Sequence, residues 1–299
     1  MDYYKVSENI GYLRGAVNIG VIKDGEKAIL VDTGIDKGAA KEIIKALDQL
    51  NLTLEAIICT HHHADHVGGN AYIQNRTKVV TYASAIESGL IENPLLEPIY
   101  LFSGANPPQQ LRNKFVLAKP SKVDKVVSEG KISFDEVTVK IIKLPGHSPN
   151  QIGVAIDGVL FCADTVFSMK VVEKYRLPFV QDVKRLKETL EKLGTSEYNY
   201  YVPSHARPRE DIKGLVGQNV KAIHGIEERL LTILDVSMTT EQALCSLCDA
   251  SGLIINGFQQ YYLTHTLVTS YLGSLLEEGK IKPAIKDNLI YWEKKESSS

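Results

Sequence analysis

Short apolar runs alternate with amphipathic stretches along the first two thirds of the chain. The runs are rich in Val and Ile and predict β-strands at residues 17–22, 28–31, 56–59, 79–82, 125–127, 137–143, 152–156, 159–162 and 200–202. Helical periodicity predicts helices at 37–50, 65–74 and 183–193, with Gly194 as a left-handed end to the last. Asp157-Gly158 predicts a tight hairpin turn. The alternation favours an α/β fold.

Residues 84–121 interrupt this alternation with a long, proline-containing segment that has no clear periodicity. Long irregular segments inside compact domains often form lids, binding loops or interfaces. The same pattern also fits a purely structural excursion or a dimer contact. We therefore interpret 84–121 as an irregular insertion whose role the sequence leaves open.

After Pro208 the pattern becomes helical, and it predicts helices at 216–234, 240–249 and 261–278. Two short strands follow at 281–285 and 289–293, with Asp287-Asn288 as their turn. Three helices and a hairpin form the outline of a winged helix. The sequence thus predicts a first domain at 1–208 and a helical, winged-helix-like domain at 209–299.

Charge and composition restrict the kinds of molecule that this chain is expected to bind. The chain of 299 residues has 34 basic and 36 acidic side chains, so it offers no overall positive field for nucleic acid. The third helix of the tail, 261–278, contains no Lys or Arg, which further disfavours a nucleic-acid reader without excluding one. No apolar stretch is long enough for a membrane span, and four cysteines suit free thiols. We expect a cytoplasmic protein that does not bind membranes and for which a homodimer is one option.

Most of the candidate functional residues follow the predicted strand 56–59, in the segment Thr60-His61-His62-His63-Ala64-Asp65-His66. On a turn that leaves a strand and opens a helix, His61 and His63 can converge on one ion while Asp65 and His66 face a second. Imidazole and carboxylate ligands suit a zinc-class ion better than calcium or magnesium. His62 fits neither ligand position, and we interpret it as a neighbour that supports the ligands.

Three further strands end in ligand-type residues. His147 follows the strand 137–143, Asp164 follows 159–162, and His205 follows 200–202. Each signal alone is weak. Together with the histidine cluster they supply the ligands that a site for two metal ions requires.

This set of motifs resembles the signature of the metallo-β-lactamase superfamily, over about the first two thirds of the chain. Asp32, in Leu30-Val31-Asp32-Thr33-Gly34, resembles the first motif, whose aspartate supports ligands without binding metal. The segments around His147 and Asp164 resemble the glyoxalase II-like branch. One departure is visible at His205, which lies in Pro203-Ser204-His205-Ala206 where relatives often have glycine.

The resemblance implies an αββα sandwich with the metal site at one edge, between two sheets. It implies one ion held by His61, His63 and His147, and a second held by Asp65, His66 and His205, with Asp164 bridging them. The expected cofactor is a pair of zinc ions, with iron or manganese as alternatives. Water shared by two such ions becomes hydroxide near neutral pH, and Asp65 can then serve as a proton shuttle.

The resemblance implies hydrolysis of a small-molecule thioester, lactone or other activated ester. Three alternatives stay open. A related group with a winged-helix-like tail cleaves single-stranded RNA, and persulfide dioxygenases of the same fold hold a single iron. The third alternative is a non-catalytic, metal-dependent binding protein, which would have a closed coordination shell.

Overall fold

The computed structural model describes residues 1–295 and has four layers, in the order helices, sheet, sheet, helices. One hydrophobic cluster lies between the two sheets and includes Ile29, Val31 and Ile141. On strand β4 (Lys27–Val31) these inward residues alternate with Ala28 and Leu30, which belong to the cluster beneath the outer helices. The strand is therefore apolar on both faces, as expected for one buried between two layers. This is the αββα sandwich that the resemblance to the metallo-β-lactamase superfamily implies.

The first sheet has seven strands within the described residues, and they are adjacent in chain order. Strands β1 to β4 pair antiparallel, whereas β4 to β7 pair parallel. Its strands are β1 (Asp2–Lys5), β2 (Ile10–Arg14), β3 (Ile19–Asp24), β4, β5 (Thr53–Ile58), β6 (Val80–Ser84) and β7 (Lys125–Val127). Parallel pairing brings the carboxyl ends of β4 and β5 to the same edge of the sheet.

The second sheet of the described chain has five strands, in the order β12-β11-β10-β9-β8. They are β8 (Gly130–Ser133), β9 (Thr138–Lys143), β10 (Ile152–Ile156), β11 (Val159–Phe167) and β12 (Tyr200–His205). The β10–β11 hairpin turns at Asp157 and Gly158, both at positive φ, as the Asp-Gly pair predicts. Strands β11 and β12 are parallel, so their carboxyl ends also meet.

Helices cover the outer faces of both sheets. The helices up to residue 205 are α1 (Lys37–Gln49), α2 (Ala64–Val67), α3 (Asn70–Gln74), α4 (Ala85–Glu92), α5 (Leu96–Leu101), α6 (Met169–Tyr175) and α7 (Val183–Gly194). Among residues 1–295, no helix is long and apolar enough to cross a membrane.

The tail has the predicted three helices and two final strands in the predicted order, with one further short strand between the first two helices. It comprises α8 (Lys213–Ile233), β13 (Met238–Thr239), α9 (Thr240–Ser251), α10 (Phe258–Glu277), β14 (Ile281–Lys286) and β15 (Leu289–Lys294). Asp287 and Asn288 form the β14–β15 turn at positive φ. One hydrophobic cluster joins residues of the second sheet, such as Leu160, to residues of the tail helices, such as Leu230 and Leu272. The tail thus shares a core with the sandwich, and the division at 208 stays a prediction.

Two predictions about local structure are wrong. Residues 84–121 are not irregular throughout, because they include α4, α5 and a short 3-10 turn at Gln109–Leu111. Helix α7 does not end at a left-handed Gly194, since Gly194 is its last helical residue and Thr195 follows in the right-handed region. The apolar positions Leu90, Ile91 and Leu101 explain the first correction, because they bury one side of the insertion helices.

The predicted helix 65–74 is also wrong, because it is broken into α2 and α3 at Gly68-Gly69. At this point the backbone runs against the loop after β4. A Cβ atom on Gly68 would lie 1.9 Å from the Ile35 carbonyl oxygen, and one on Gly69 would lie 2.4 Å from the Thr33 carbonyl oxygen. The close approach fixes the histidine-rich segment against the end of β4.

We expect Gly68→Ala to lower the free energy of unfolding by at least about 2 kcal/mol, because the added methyl meets backbone atoms that cannot move aside. Gly217→Ala is the matched control. It lies in α8, and a Cβ there meets no atom within 4 Å. This control should be neutral or stabilise the chain by up to about 1 kcal/mol. Urea unfolding of both variants tests the difference, and equal midpoints would contradict it.

Candidate metal centre

Seven ligand-type side chains from four strand ends meet at one edge of the sandwich. His61, His63, Asp65 and His66 follow β5, while His147 follows β9. Asp164 lies within β11, and His205 is the last residue of β12. In open α/β sheets, functional residues tend to lie at the carboxyl ends of strands. Here that position brings together segments that are far apart in the sequence. The structure brings together all seven residues that the sequence singles out as metal ligands.

Unusual backbone conformations lie beside this edge. Ala163 has φ +49, and the β11–β12 register shifts between Phe161 and Ala163. Such a bulge redirects the next side chain, which is Asp164. Asp32, at the end of β4, has φ +68. Both are positive-φ positions without glycine, a kind of strain that is often found at functional sites.

Three imidazoles form the first group of donors. His61 Nε2 lies 3.1 Å from His63 Nδ1, and His147 Nε2 lies 3.0 Å from the same atom. Burial lowers the pKa of all three imidazoles, most strongly for His61 and His63. A neutral imidazole presents a free lone pair, which is the form that ligates a metal.

Asp65, His66 and His205 form the second group. His205 Nε2 lies 3.2 Å from Asp65 Oδ2, and His66 Nε2 lies 4.0 Å from that oxygen. Burial alone would lower the pKa of the His66 and His205 imidazoles. The nearby Asp164 carboxylate raises both pKa values and has the larger effect. The pKa of His66 is raised well above its usual range, and that of His205 is raised to about 10.

Asp164 lies between the two groups. Its Oδ2 is 3.4 Å from His147 Nε2 in the first group and 3.3 Å from His205 Nε2 in the second. Its Oδ1 is 3.3 Å from His66 Nε2. Burial alone would raise the pKa of this carboxyl, but the neighbouring imidazoles His205 and His66 hold it well below its usual range. Asp164 is thus a permanent carboxylate within reach of both groups.

Several polar atoms in this cluster have no hydrogen-bond partner. Two of them are His66 Nε2 and Asp164 Oδ1, both inaccessible to solvent. Leaving buried polar atoms unpaired is unfavourable by about 1–3 kcal/mol each. A divalent cation would satisfy them, and nitrogen and carboxylate donors are the ligands of the zinc class. The residues present therefore fit metal ions.

Asp32 does not point at this cluster of unpaired atoms. Its Oδ2 accepts a hydrogen bond from His66 Nδ1 at 2.7 Å and one from Thr60 Oγ1 at 2.8 Å, while Oδ1 accepts from the Thr60 backbone N–H at 2.8 Å. His147 Nδ1 donates to the Phe179 carbonyl oxygen at 3.0 Å. Such contacts fix the tautomers of His66 and His147 and leave the Nε2 atom of each ring facing the site.

His62 points away from the two groups. Its Nδ1 is hydrogen-bonded to Glu87 Oε2, and its Nε2 lies 3.1 Å from Tyr100 Oη. Its Nε2 is also 3.9 Å from Glu97 Oε2, and His62, His63 and Glu97 form a third group close enough to hold an ion. His62 therefore connects the ligand segment to the insertion.

Sequence reasoning missed Glu87, Glu97 and Tyr100, which all belong to the insertion. Burial raises the pKa of Glu97 well above its usual range, and the carboxylates Asp65 and Glu87 raise it further. A signal for Glu87 was present, because it shares a helix face with Leu90 and Ile91 at spacings of three and four residues. An acidic residue on such an apolar face indicates a buried partner.

Comparison with known proteins agrees with this geometry. The chain is 31% identical over 146 residues to a hydroxyacylglutathione hydrolase of Shewanella sp. (strain ANA-3), covering 49% of this chain and 46% of the relative. It is 31% identical over 150 residues to the enzyme of the same name from Vibrio campbellii (strain ATCC BAA-1116), covering 50% and 47%. The chain thus matches about half the length of these relatives.

Solved structures share the fold over nearly the whole chain. A metallo-beta-lactamase family protein from Thermus thermophilus has a TM-score of 0.73 at 18% identity, covering 93% of this chain and 94% of the other. A beta-lactamase domain protein from Burkholderia ambifaria has a TM-score of 0.76 at 18% identity, covering 98% and 94%. The family model described as the metallo-beta-lactamase superfamily matches residues 12–205, which include all seven clustered ligand-type residues. The chain belongs to the metallo-beta-lactamase superfamily.

Proposed function

We propose that this chain is a metal-dependent hydrolase that cleaves thioesters. The observation that carries the proposal is Asp164, whose two oxygens lie within 3.4 Å of imidazoles from both donor groups. That arrangement supports a pair of divalent cations, for which zinc is our first choice. The similarity to hydroxyacylglutathione hydrolases supports a thioester as the substrate.

The reaction adds water to the acyl carbon and breaks the carbon–sulfur bond, which yields a carboxylic acid and a free thiol. When bound, a pair of divalent cations supplies a water of lowered pKa and withdraws charge from the acyl oxygen. His61, His63 and His147 would hold one cation, and Asp65, His66 and His205 the other, with Asp164 close enough to serve both. Asp65 lies at the rim of the site, where its carboxylate can accept a proton from water and pass it to the departing thiolate.

Exposure of the rim favours an enzyme over a closed structural site. The side chain of Asp65 is 36% exposed and that of His205 is 19% exposed, whereas His66 is fully buried. A catalytic metal site requires a position that water and substrate can reach, and a structural site does not.

We also propose that the protein acts in the cytoplasm, because its cysteines are free thiols throughout the described residues.

The test combines elemental analysis with a substrate panel on the full chain. We expect two zinc ions per chain, and turnover of an S-(2-hydroxyacyl)glutathione that is stopped by a chelator and restored by zinc. The panel also contains a lactone, a phosphodiester and a short single-stranded RNA. One iron per chain with oxygen uptake would replace the proposal with a dioxygenase, and cleavage of RNA alone would replace it with a ribonuclease. Bound metal without turnover of any substrate would favour a binding protein.

A further inference from the structure

His205 lies at the rim of the metal cluster, at the end of an edge strand. Its side chain is 19% exposed, whereas that of His66 in the same donor group is fully buried. It is the last residue of β12, which pairs only with β11 among the described strands. A metal ligand in such an open position needs neighbours that fix its orientation. The structure provides them on two sides of His205.

The first neighbour is Asn18, in the loop between β2 and β3. Its Nδ2 donates to the Pro203 carbonyl oxygen at 2.8 Å and to the Ala206 carbonyl oxygen at 2.9 Å. Its backbone N–H donates to the Ser204 carbonyl oxygen at 3.0 Å. These three acceptors lie just before and just after His205, so Asn18 holds the backbone on both sides of the ligand.

The loop of Asn18 also fixes the imidazole of His205. The Ala16 carbonyl oxygen accepts a hydrogen bond from His205 Nδ1 at 3.2 Å. This contact turns Nε2 toward the cluster, where it lies 3.3 Å from Asp164 Oδ2. The position of this loop therefore determines both the backbone and the ring orientation of the ligand.

The second neighbour belongs to the tail and is Asn219, on helix α8. Its Oδ1 accepts from the Phe167 backbone N–H at 3.0 Å, and its Nδ2 donates to the Phe167 carbonyl oxygen at 2.9 Å. Nδ2 also donates to the Leu215 carbonyl oxygen at 2.9 Å. Asn219 is buried, so loss of its amide would leave these groups unpaired where water has little access. One side chain thus joins the end of β11 to the tail.

Phe167 transmits this restraint to His205. The two residues are paired across the parallel strands β11 and β12, and their rings are stacked with centroids 5.9 Å apart. The register of this strand pair shifts between Ala163 and Phe167, so the regular ladder of hydrogen bonds is interrupted just before this point. The contact with Asn219 therefore holds a part of β11 that the sheet alone holds weakly.

The first group of metal donors is fixed by other contacts. In the part of the chain that the structure describes, neither asparagine is hydrogen-bonded to a residue of that group. The Phe167 ring lies 5.5 Å from the His147 ring, but His147 Nδ1 has its own hydrogen bond to the Phe179 carbonyl oxygen. Loss of either asparagine should therefore disturb the second group of donors more than the first.

We propose that Asn18 and Asn219 are positioning residues for the second metal ion, and that the tail supports binding of that ion through Asn219. This role rests on the proposed pair of cations. The tail supplies none of the seven ligand-type residues, and Asn219 lies outside residues 12–205, which the family model matches. The tail thus contributes to the metal site by holding a ligand in position rather than by supplying one.

The test is calorimetric titration of the metal-free full chain with zinc, for the wild type, Asn18→Ala and Asn219→Ala. Asn18 is only partly buried, so Asn18→Ala should fold even if Asn219→Ala does not. The control is Thr240→Val, which keeps the side-chain shape. It removes a buried hydrogen bond of the tail, from Trp292 Nε1 to Thr240 Oγ1 at 3.0 Å, that has no contact with His205.

We expect both asparagine variants to bind one zinc ion about 10–100-fold more weakly, as is typical when a group that orients a ligand is lost. Their affinity for the other ion should stay close to that of the wild type. Thr240→Val should lower Tm but leave both affinities unchanged. Asn18→Asp keeps the side-chain shape but replaces the donor with an oxygen that faces two carbonyl oxygens, so it should weaken binding as much as Asn18→Ala.

Hydrogen exchange gives a second measurement that needs no metal. In the metal-free chain, the segment 200–206 should exchange faster in both asparagine variants than in the wild type, because its contacts on one side are lost. Thr240→Val should not change the exchange of this segment. Unchanged exchange in the asparagine variants would overturn the inference.

Other results would also overturn it. They are an equal loss of affinity for both ions, the same selective loss in Thr240→Val, and wild-type zinc binding by Asn18→Asp. A wild type that binds a single ion would instead overturn the proposed pair of cations. The assignment of the asparagines would then stand if both variants weaken that ion more than Thr240→Val does, and it would fall if they do not.

Discussion

Asp164→Ala is expected to abolish tight metal binding and to lower kcat/KM for a thioester by at least about 10³-fold. We expect a decrease of this size because removal of even one group that stabilises transition-state charge reduces kcat by about 10²–10³-fold. Asp164 contacts both donor groups, at 3.3 Å from His66 Nε2 and 3.4 Å from His147 Nε2, so its loss affects both. Elemental analysis after gel filtration and steady-state kinetics measure the two effects together.

The control for this variant is Asp249→Ala, which removes an exposed aspartate on α9. It should retain the metal content and turnover of the wild type. Circular dichroism should show that Asp164→Ala keeps its fold, because the sheet contacts on either side of β11 do not involve the carboxylate. Full turnover by Asp164→Ala after metal depletion would refute the assigned role of the residue.

The same carboxylate makes metal binding depend on pH. In the metal-free protein Asp164 and Asp65 raise the pKa of His205 to about 10, so His205 is protonated at pH 7. A metal must displace that proton, and its affinity should therefore rise as the pH increases from 6 to 8. Calorimetry in buffers of different ionisation enthalpy should detect proton release during zinc binding. Zinc binding that releases no protons would contradict this account.

The ligand residues could be predicted from sequence because each follows a strand with a clear apolar pattern. His147 lies just beyond β9 and Asp164 lies within β11, and the parallel pairing of β11 with β12 brings Asp164 close to His205. The same alternation of strands and helices predicts an α/β fold, whereas the αββα layering is implied by the resemblance to the metallo-β-lactamase superfamily. These features depend on local pattern and on general rules of sheet topology.

Other features depend on contacts between distant segments and could not be predicted. The break at Gly68-Gly69 exists because the backbone meets Ile35 and Thr33, more than thirty residues earlier. Strand β1 has only one partner strand and a largely exposed surface, so its residues lack an alternating apolar pattern.

Glu87 is the strongest example of a residue whose partners only the fold reveals, and its replacement carries the second large prediction. It is fully buried in α4. Oε2 accepts from the His62 backbone N–H at 3.0 Å and is also bonded to the His62 ring, while Oε1 accepts from Ser148 Oγ and the Asn150 N–H, each at 2.8 Å. One carboxylate thus joins the segment of His61 and His63 to the loop of His147.

Burial would raise the pKa of the Glu87 carboxyl, but its hydrogen bond with His62 holds that pKa below the usual value. The group is therefore an ionised acceptor for both loops. Its removal leaves four donors without a partner in a region that water does not reach. Removing one partner of a buried charged pair typically lowers stability by about 3–5 kcal/mol.

Glu87→Ala should therefore lower Tm by roughly 6–20 °C, taking about 2–4 °C per kcal/mol for a chain of this size. It should also weaken zinc binding by about 10–100-fold, as is typical when a group that orients metal ligands is lost. Glu87→Gln keeps the shape and one acceptor oxygen, so we expect a smaller loss of both quantities. Glu188→Ala, an exposed glutamate on α7, is the control and should change neither.

Ser148→Ala separates a structural effect from an effect on the metal ligands. It removes one of the four hydrogen bonds to Glu87 and lies next to His147. If Glu87 positions the ligands, this variant should weaken zinc binding severalfold while Tm falls by only a few degrees. Wild-type zinc affinity in both Glu87→Ala and Ser148→Ala, despite a lower Tm, would show that the carboxylate stabilises the fold without positioning the metal ligands.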